Sequence, residues 1–284
     1  MSTYAQLLEK AVKDFEKAHV EDESLNAREL LGKALGCDCR RFDFEMRLQD
    51  SADGVVQGEF ESLCQRRLSG EPLQYLVGEW EFYGLPFKVG QGVLIPRQDT
   101  ETLIDTVRKK APKDKPLTVV DLCAGSGCIG IALEKYLDCE QVTAVEVSDE
   151  AIEYMKQNIA INKSKMKIVK GDITDRQTAL DLPTADVLTA NPPYLTAQDM
   201  KLLQREVTFE PQGALFGGDD GLDFYRHILI NFKQTLRTGG LIALEIGIGM
   251  EDEVMTMLVR HGFENVRAHK DACGAFRCIT GFRK

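Results

Sequence analysis

Four consecutive residues, Asn191-Pro192-Pro193-Tyr194, carry the most definite chemistry in the chain. The asparagine side-chain carbonyl and the main-chain carbonyl of Pro192 supply two acceptors, matched to the two N–H donors of a planar NH2 group such as an amide or an exocyclic amine. Neither proline carries an N–H, and their fixed φ stiffens the loop, so no local donor competes for those acceptors. Tyr194 adds a flat face against which a planar group can stack. A proline-rich turn that merely closes a strand would use the same residues, so the rest of the chain has to decide.

A second constellation precedes it. Gly125-Ser126-Gly127-Cys128-Ile129-Gly130 follows an apolar run that contains Asp121, and its G-x-G-x-x-G spacing permits a tight turn and close backbone approach of a ligand to a helix N-terminus. Glu146 ends the next apolar run, about 20 residues on, where a carboxylate accepts from both hydroxyls of a ribose. NAD and S-adenosylmethionine both carry such a ribose. Asp121 is a poor neighbour for a pyrophosphate and a good one for an α-amino group, and the loop holds no Lys or Arg to neutralise phosphates. Both points favour a methionine-type tail. Gly171-Asp172-Ile173 sets a polar side chain beside an apolar one, suited to the amino group and face of an adenine; Asp172 also suits a turn or cap.

The elements that must hold these residues follow from periodicity. Leu7, Leu8, Ala11, Val12 and Phe15 repeat at helical spacing, as do Ala27, Leu30, Leu31, Ala34 and Leu35, with Gly36 placed to end that helix. A third stripe runs from Val55 to Leu68 and stops near Gly70. Between Gly78 and Val89, aromatic and β-branched residues around Gly84-Leu85-Pro86 predict a hairpin. From Leu117 onward strands and helices alternate: strands at 117–122, 142–147, 167–169, 187–190 and 241–246, and helices at 127–137, at 149–161 behind a Ser148 cap, and at 225–236. That alternation implies a parallel sheet covered on both faces. Asn265 to His269 and Phe276 to Thr280 read as a late antiparallel pair. The expected division is a helical domain over 1–75, a hairpin linker over 76–95 and an α/β domain over 96–284.

Composition narrows the function classes. The chain has 284 residues, 43% of them apolar, and a formal charge of -10. No basic arm or patch is visible, which weighs against a dedicated nucleic-acid binder. No window approaches about 18 uninterrupted apolar residues, and charges recur through the N-terminus where a signal peptide would be apolar; the expectation is a cytoplasmic protein without a membrane span. The eight cysteines include no C-x-x-C pair, so reduced structural thiols are expected and no metal site. Arg97 can fold over the cofactor pocket or pair with Asp99 or Glu101, and Glu245, ending a strand, can be a structural acceptor or a site residue.

The motifs together resemble the class I S-adenosylmethionine-dependent methyltransferases and, within them, the protein-glutamine methyltransferases that modify peptide-chain release factors. The resemblance runs from about Glu71 to Arg277 through Glu71-Pro-Leu-Gln-Tyr75, Phe82-Tyr-Gly-Leu-Pro86, Leu94-Ile-Pro-Arg97, the glycine loop, Asn191 to Tyr194, Glu210-Pro211, Gly221-Leu-Asp223 and Leu244-Glu-Ile-Gly247. It implies a Rossmann-like α/β domain, a mostly parallel seven-stranded sheet with a C-terminal antiparallel strand, beside a small N-terminal helical domain that docks the substrate. It further implies transfer of a methyl group from S-adenosylmethionine to the side-chain amide of the glutamine in a Gly-Gly-Gln motif of class-1 release factors, leaving S-adenosylhomocysteine. Carried onto matching positions, Cys123, Ala124, Gly125, Ser126 and Gly127, with Asp121, cradle the methionine portion, Glu146 the ribose, and Asp172 and Ile173 the adenine. Asn191, Pro192, Pro193 and Tyr194 hold the glutamine, with Asn191, Pro192 and Tyr194 catalytic and Asn191 also beside the cofactor. The expected protein is a monomer whose partner is the release factor. Cys123-Ala124 and Ser126 stand where the family often has Gly-Thr and Thr, and Glu146 where Asp is more frequent. A glutamine methyltransferase of a ribosomal protein, and an adenine amino-methyltransferase of DNA, are the rival readings.

Overall fold

The computed structural model describes residues 2–284 and divides into two units. One runs up to Glu79 and also takes in Gln204–Phe209; the other comprises Trp80–Leu203 and Glu210–Lys284.

The first unit is helical: α1 (Tyr4–Lys17), α2 (Glu23–Leu35), α3 (Phe42–Arg47), α4 (Gly54–Leu68) and α5 (Leu73–Val77). The three apolar stripes in the sequence are α1, α2 and α4, and they bury Phe15, Leu30, Leu31 and Phe60. The termini are chemically specified. Thr3 and Gln6 form a reciprocal capping box at α1, Asp53 accepts the Val55 and Val56 N–H groups at α4, and Gly36 ends α2 in the left-handed region at φ 66. Short α3 and α5 span too few turns to print a periodicity, so the sequence pattern missed them. Gln204–Phe209 belongs to this unit through an ion pair between Glu206 and Arg67, whose Nε also donates to Asn26 Oδ1 at 2.6 Å.

The second unit opens with the hairpin β1 (Glu79–Phe82) and β2 (Leu85–Lys88). Phe82, Leu85 and Phe87 are buried in the core of this unit, which takes in the chain from Trp80 onward. There follow α6 (Glu101–Lys110), β3 (Leu117–Leu122), α7 (Cys128–Tyr136), β4 (Cys139–Glu146), α8 (Asp149–Asn162), β5 (Lys167–Lys170), α9 (Arg176–Leu180), β6 (Ala185–Ala190), α10 (Asp223–His227), β7 (Leu236–Glu245), α11 (Glu251–Arg260), β8 (Phe263–Lys270) and β9 (Phe276–Arg283). α10 continues as a π-helical turn over Ile228–Phe232.

The sheet order is β5-β4-β3-β6-β7-β9-β8, parallel except for β9, which runs antiparallel to both neighbours. Successive strand residues face opposite sides, and here both sides are buried. Val119, Val187, Leu241 and Ala243 pack in one cluster with Leu103, Ile104 and Val107 of α6 and Ile129 of α7. Their neighbours Val120, Leu188, Ile242 and Leu244 pack in another with Tyr225, Ile228 and Phe232 after β6 and Val254 and Leu258 of α11. The result is a Rossmann-like doubly wound sheet whose strand order turns outward on either side of β3 and β6, and ligands of such sheets bind at the C-terminal strand ends there. No helix among the described residues is long and apolar enough to cross a membrane. Replacing Asp53→Ala removes the α4 cap and is expected to lower stability by about 1 kcal/mol in urea unfolding, with catalytic rate unchanged.

Candidate active site

A cavity of about 320 Å³ opens at those strand ends, entirely within the second unit. Cys123, Ala124, Gly125 and Ser126 form its floor as the chain turns from β3 into α7. Gly125 and Gly127 have φ 55 and 80, a region open to glycine without steric cost. An added Cβ at Gly125 would meet no atom within 4 Å, whereas one at Gly127 would lie 2.8 Å from Met155 Cγ and 2.9 Å from Met166 Cε. One glycine therefore leaves room for a ligand and the other permits close packing beneath it. Cys123 shares the left-handed region at φ 54, a strained choice for a residue with a Cβ.

Polar groups hold the loop in place. Glu146 at the end of β4 is 8% exposed; its Oε2 accepts from Gly125 N at 2.7 Å and its Oε1 from Val147 N and Ser148 N at 2.9 Å. Asn158 of α8, fully buried, donates to Ser126 O at 3.0 Å and exchanges hydrogen bonds with both backbone groups of Lys88 in β2. Asp121 lies beneath the loop and does not line the cavity. Its Oδ1 accepts from Thr189 Oγ1 at 2.7 Å and its Oδ2 from Gly130 N at 3.1 Å. Burial pushes the Asp121 carboxyl up to about 7, with the nearby Glu146 adding to the rise and the two hydrogen bonds opposing it.

The far wall comes from β6 and the segment ahead of α6. Asn191 and Pro193 line the cavity. Asn191 Nδ2 donates to Thr100 Oγ1 over a long 3.4 Å, which turns Oδ1 to the other side. No backbone N–H among the described residues donates to the Pro192 carbonyl. Pro192 itself is buried, and the half-buried Tyr194 ring is set against Gly247, where an added Cβ would lie 3.0 Å from its Cδ2. Burial pushes the Tyr194 phenol well up. Arg97 lines the cavity as well, paired with Glu210. Neither Asp99 nor Glu101 takes it: Asp99 binds Arg277 at 2.7 Å and Glu101 accepts from Tyr83 N at 3.0 Å. Glu210 is anchored on its other oxygen by Ile95 N at 3.0 Å.

Of the residues singled out in sequence, Cys123, Ala124, Gly125, Ser126, Glu146, Asp172, Ile173, Asn191 and Pro193 converge on the cavity, while Asp121, Gly127, Pro192 and Tyr194 stand just outside its lining. Asp172 also closes a turn, accepting from Thr174 N at 2.8 Å. Sequence reasoning gave no site role to Thr100, Gly92 to Leu94 or Phe224, all in the lining; Leu94 and Thr100 stand in segments that carry the family resemblance, while the other three belong to no spaced motif. It also left Glu245 open. This carboxyl is 2% exposed; burial pushes it up to about 7, while Thr100, Arg277 and Asn191 draw it down. The eight cysteines are free, and among the described residues no His, Cys, Asp or Glu cluster is arranged to hold a metal ion.

Known proteins share this fold. The catalytic domain of hMettl16, in complex with an RNA hairpin, superposes with a TM-score of 0.58 at 19% identity, over 71% of this chain and 77% of that one. A methyltransferase from Pyrococcus furiosus gives 0.54 at 22% identity, over 71% and 90%. Family models for the PrmC N-terminal domain and the Methyltransferase small domain match residues 6–78 and 98–213. The fold, the glycine loop and the cavity thus define an S-adenosylmethionine-dependent methyltransferase. The release factor glutamine methyltransferase of Moorella thermoacetica is 36% identical over 285 residues, 99% of each chain. That of Thermodesulfovibrio yellowstonii is 40% identical over 221 residues, 77% of this chain and 78% of the relative. The chain belongs to the release factor glutamine methyltransferase family.

The residues present fit the methyl donor: an open space over Gly125, with the carboxyls of Glu146 and Asp172 and the apolar Ile173 all in the lining. Gly127→Ala forces a Cβ into the left-handed region against Met155 and Met166, and is expected to weaken S-adenosylmethionine binding about tenfold or more by calorimetry. Asp121 also sets a pH dependence. Its folded value lies above the ordinary 3.8, so the folded state holds the extra proton, and its contribution to stability declines as pH rises from about 4 to about 7. Urea unfolding across that range is expected to show a shallower decline in Asp121→Asn than in the parent protein.

Proposed function

We propose that the protein methylates the side-chain amide nitrogen (N5) of the glutamine in the Gly-Gly-Gln motif of class-1 peptide-chain release factors, acting as a cytoplasmic monomer that supports translation termination. The observation that carries this reading is the Asn191 side chain, which lines the cavity with its NH2 held by Thr100 and its carbonyl free for a substrate N–H. The Pro192 carbonyl supplies the second acceptor. Together they match an amide NH2 and leave unmatched any group lacking two N–H donors. The family's relatives are named release factor glutamine methyltransferases.

An amide nitrogen is a weak nucleophile because its lone pair is delocalised into the carbonyl. S-adenosylmethionine supplies, when bound, a methyl group on a positively charged sulfur. The chain's own task is orientation: two acceptors fix both N–H bonds, so the plane of the amide and with it the axis of the nitrogen lone pair are set. Positioning of this kind lowers a barrier by about 7 to 11 kcal/mol at best. In the balance, an N–CH3 bond forms, an S–CH3 bond breaks with its electrons returning to sulfur, and the proton displaced from nitrogen passes to solvent water after the methyl has transferred. The cavity's largely apolar lining favours a step in which the sulfur gives up its positive charge.

A folded release factor needs contacts beyond the cavity, and the helical domain over residues 1–75 is the proposed docking surface. Support comes from α3, where Phe42 and Met46 are 78% and 65% exposed. Exposed apolar side chains of this size suit a protein contact.

Asn191→Ala is expected to reduce methyl transfer at least about a thousandfold while the dissociation constant for S-adenosylmethionine stays within about threefold; full activity would remove Asn191 from the reaction. Labelled methyl donor offered with a class-1 release factor, a ribosomal protein or duplex DNA should mark the release factor, and label on DNA alone would overturn the reading. Phe42→Ser with Met46→Ser is expected to raise KM for the intact release factor about tenfold and leave KM for a short Gly-Gly-Gln peptide unchanged.

A further inference from the structure

Glu245 and Asn191 emerge side by side at the C-terminal ends of neighbouring parallel strands, since Ala190 of β6 is in register with Leu244 of β7. The Glu245 backbone is itself fixed: its carbonyl accepts from the buried Tyr225 hydroxyl at 2.7 Å. Its side chain is buried, and Oε2 has no hydrogen-bond partner in the protein. Thr100 and Asn191 are the neutral polar side chains that act on this carboxyl, and Thr100 Oγ1 also receives Asn191 Nδ2.

We propose that Glu245 is a positioning residue that sets the direction of the Asn191 amide, holding its NH2 toward β7 and Thr100 so that Oδ1 is presented to the substrate. The inference rests on the reading of Asn191 as the clamp for the target amide. An ionised carboxylate only accepts hydrogen bonds. Facing it, Asn191 gains by turning its NH2 inward; the opposite rotamer sets its carbonyl oxygen against the carboxylate and offers an N–H to a substrate that brings N–H groups of its own. Asparagine has no such preference by itself, because its two ends differ little in size. The Thr100 hydroxyl completes the arrangement, accepting from Asn191 Nδ2 and leaving its own proton for Glu245.

Protonation of Glu245 removes the preference, since a carboxylic acid also donates. Other elements face the group: Asp99 and Thr100 ahead of α6, Cys128 of α7, Asn191 and Tyr194 after β6, Tyr225 of α10, and Arg277 and Cys278 of β9. Burial moves the two thiols and two phenols up, away from the range in which Glu245 changes charge, and the Arg277 guanidinium stays cationic throughout. Asp121, which titrates in the same range, lies beneath the glycine loop.

The test reads the side chain directly. In cofactor-free protein labelled on asparagine side-chain nitrogen, the Asn191 NH2 signals are assigned by their loss in Asn191→Ala. They are expected to shift with a midpoint near pH 7, where Glu245 titrates, and to stay fixed over that range in Glu245→Gln. Signals that do not move, or that move equally in Glu245→Gln, overturn the proposal. On a release factor, kcat is expected to fall as pH drops through the same midpoint. Glu245→Gln should lose that limb and run about tenfold slower at its plateau, with KM for S-adenosylmethionine within about twofold. Thr100→Val and Thr100→Ser give a second arm that spares Glu245: the serine variant, which keeps the hydroxyl, should turn over about tenfold faster than the valine variant, and equal rates in the two overturn the proposal. A parent enzyme that leaves release factor unmethylated, yet shows the Asn191 shift and its loss in Glu245→Gln, sustains the positioning role and refutes the substrate reading alone.

Discussion

The buried carboxylate of Asp121 is the tie on which the site depends. It gathers one N–H from the first turn of α7 and one hydroxyl from β6, at 3.1 and 2.7 Å. Those two donors belong to the two halves of the site: Gly130 follows the glycine loop, and Thr189 stands two residues before Asn191. A buried carboxyl loses most when its hydrogen bonds are absent, so the glycine loop and the Asn191 segment are held in mutual register by a group that lies outside the cavity lining. Burial raises this carboxyl to about 7, so the two hydrogen bonds offset only part of what its charge loses on leaving water.

Around that tie the site is built from strand ends. β3 delivers the glycine loop, β4 delivers Glu146, β6 delivers Asn191 and β7 delivers Glu245, four adjacent parallel strands apart from the order in which the chain visits them. Both sheet faces are buried, so the strands cannot slip by one residue without turning an apolar set outward. The packing of Val119 against one layer and Val120 against the other therefore fixes the position of functional atoms several residues away. Asn158 extends the same control to the hairpin, gripping Ser126 O and both backbone groups of Lys88.

Much of this was legible in the residues. The alternation of strand and helix, the G-x-G-x-x-G spacing, Glu146 at the end of the next strand and the Asn191 to Tyr194 run all have local signatures, because each depends on backbone geometry within a few residues. What stayed hidden depends on direction or on distance along the chain. Asp121 could be placed beside the loop, yet its side chain points beneath the loop and not into the cavity, and a strand's two faces look alike when both are apolar. Arg97 has acidic neighbours at Asp99 and Glu101, but pairs with Glu210, 113 residues away. Thr100 and Asn191 are separated by 91 residues, and nothing in either segment announces the other. Gln204–Phe209 joins the helical unit through Glu206 and Arg67, 139 residues apart, so no reading of contiguous domains could have assigned it.

Glu146 has a bearing on how the enzyme empties itself. Three backbone N–H groups already bond to its carboxylate, so a ribose held there, as the family resemblance implies, exchanges hydrogen bonds more than it adds them. The methyl donor and its spent form carry the same ribose, and any affinity drawn from it holds both alike, contributing nothing to the rate of the chemical step. An anchor that is satisfied in advance keeps that shared grip modest, which favours departure of the spent donor and leaves discrimination between the two to the sulfur's charge and its methyl group.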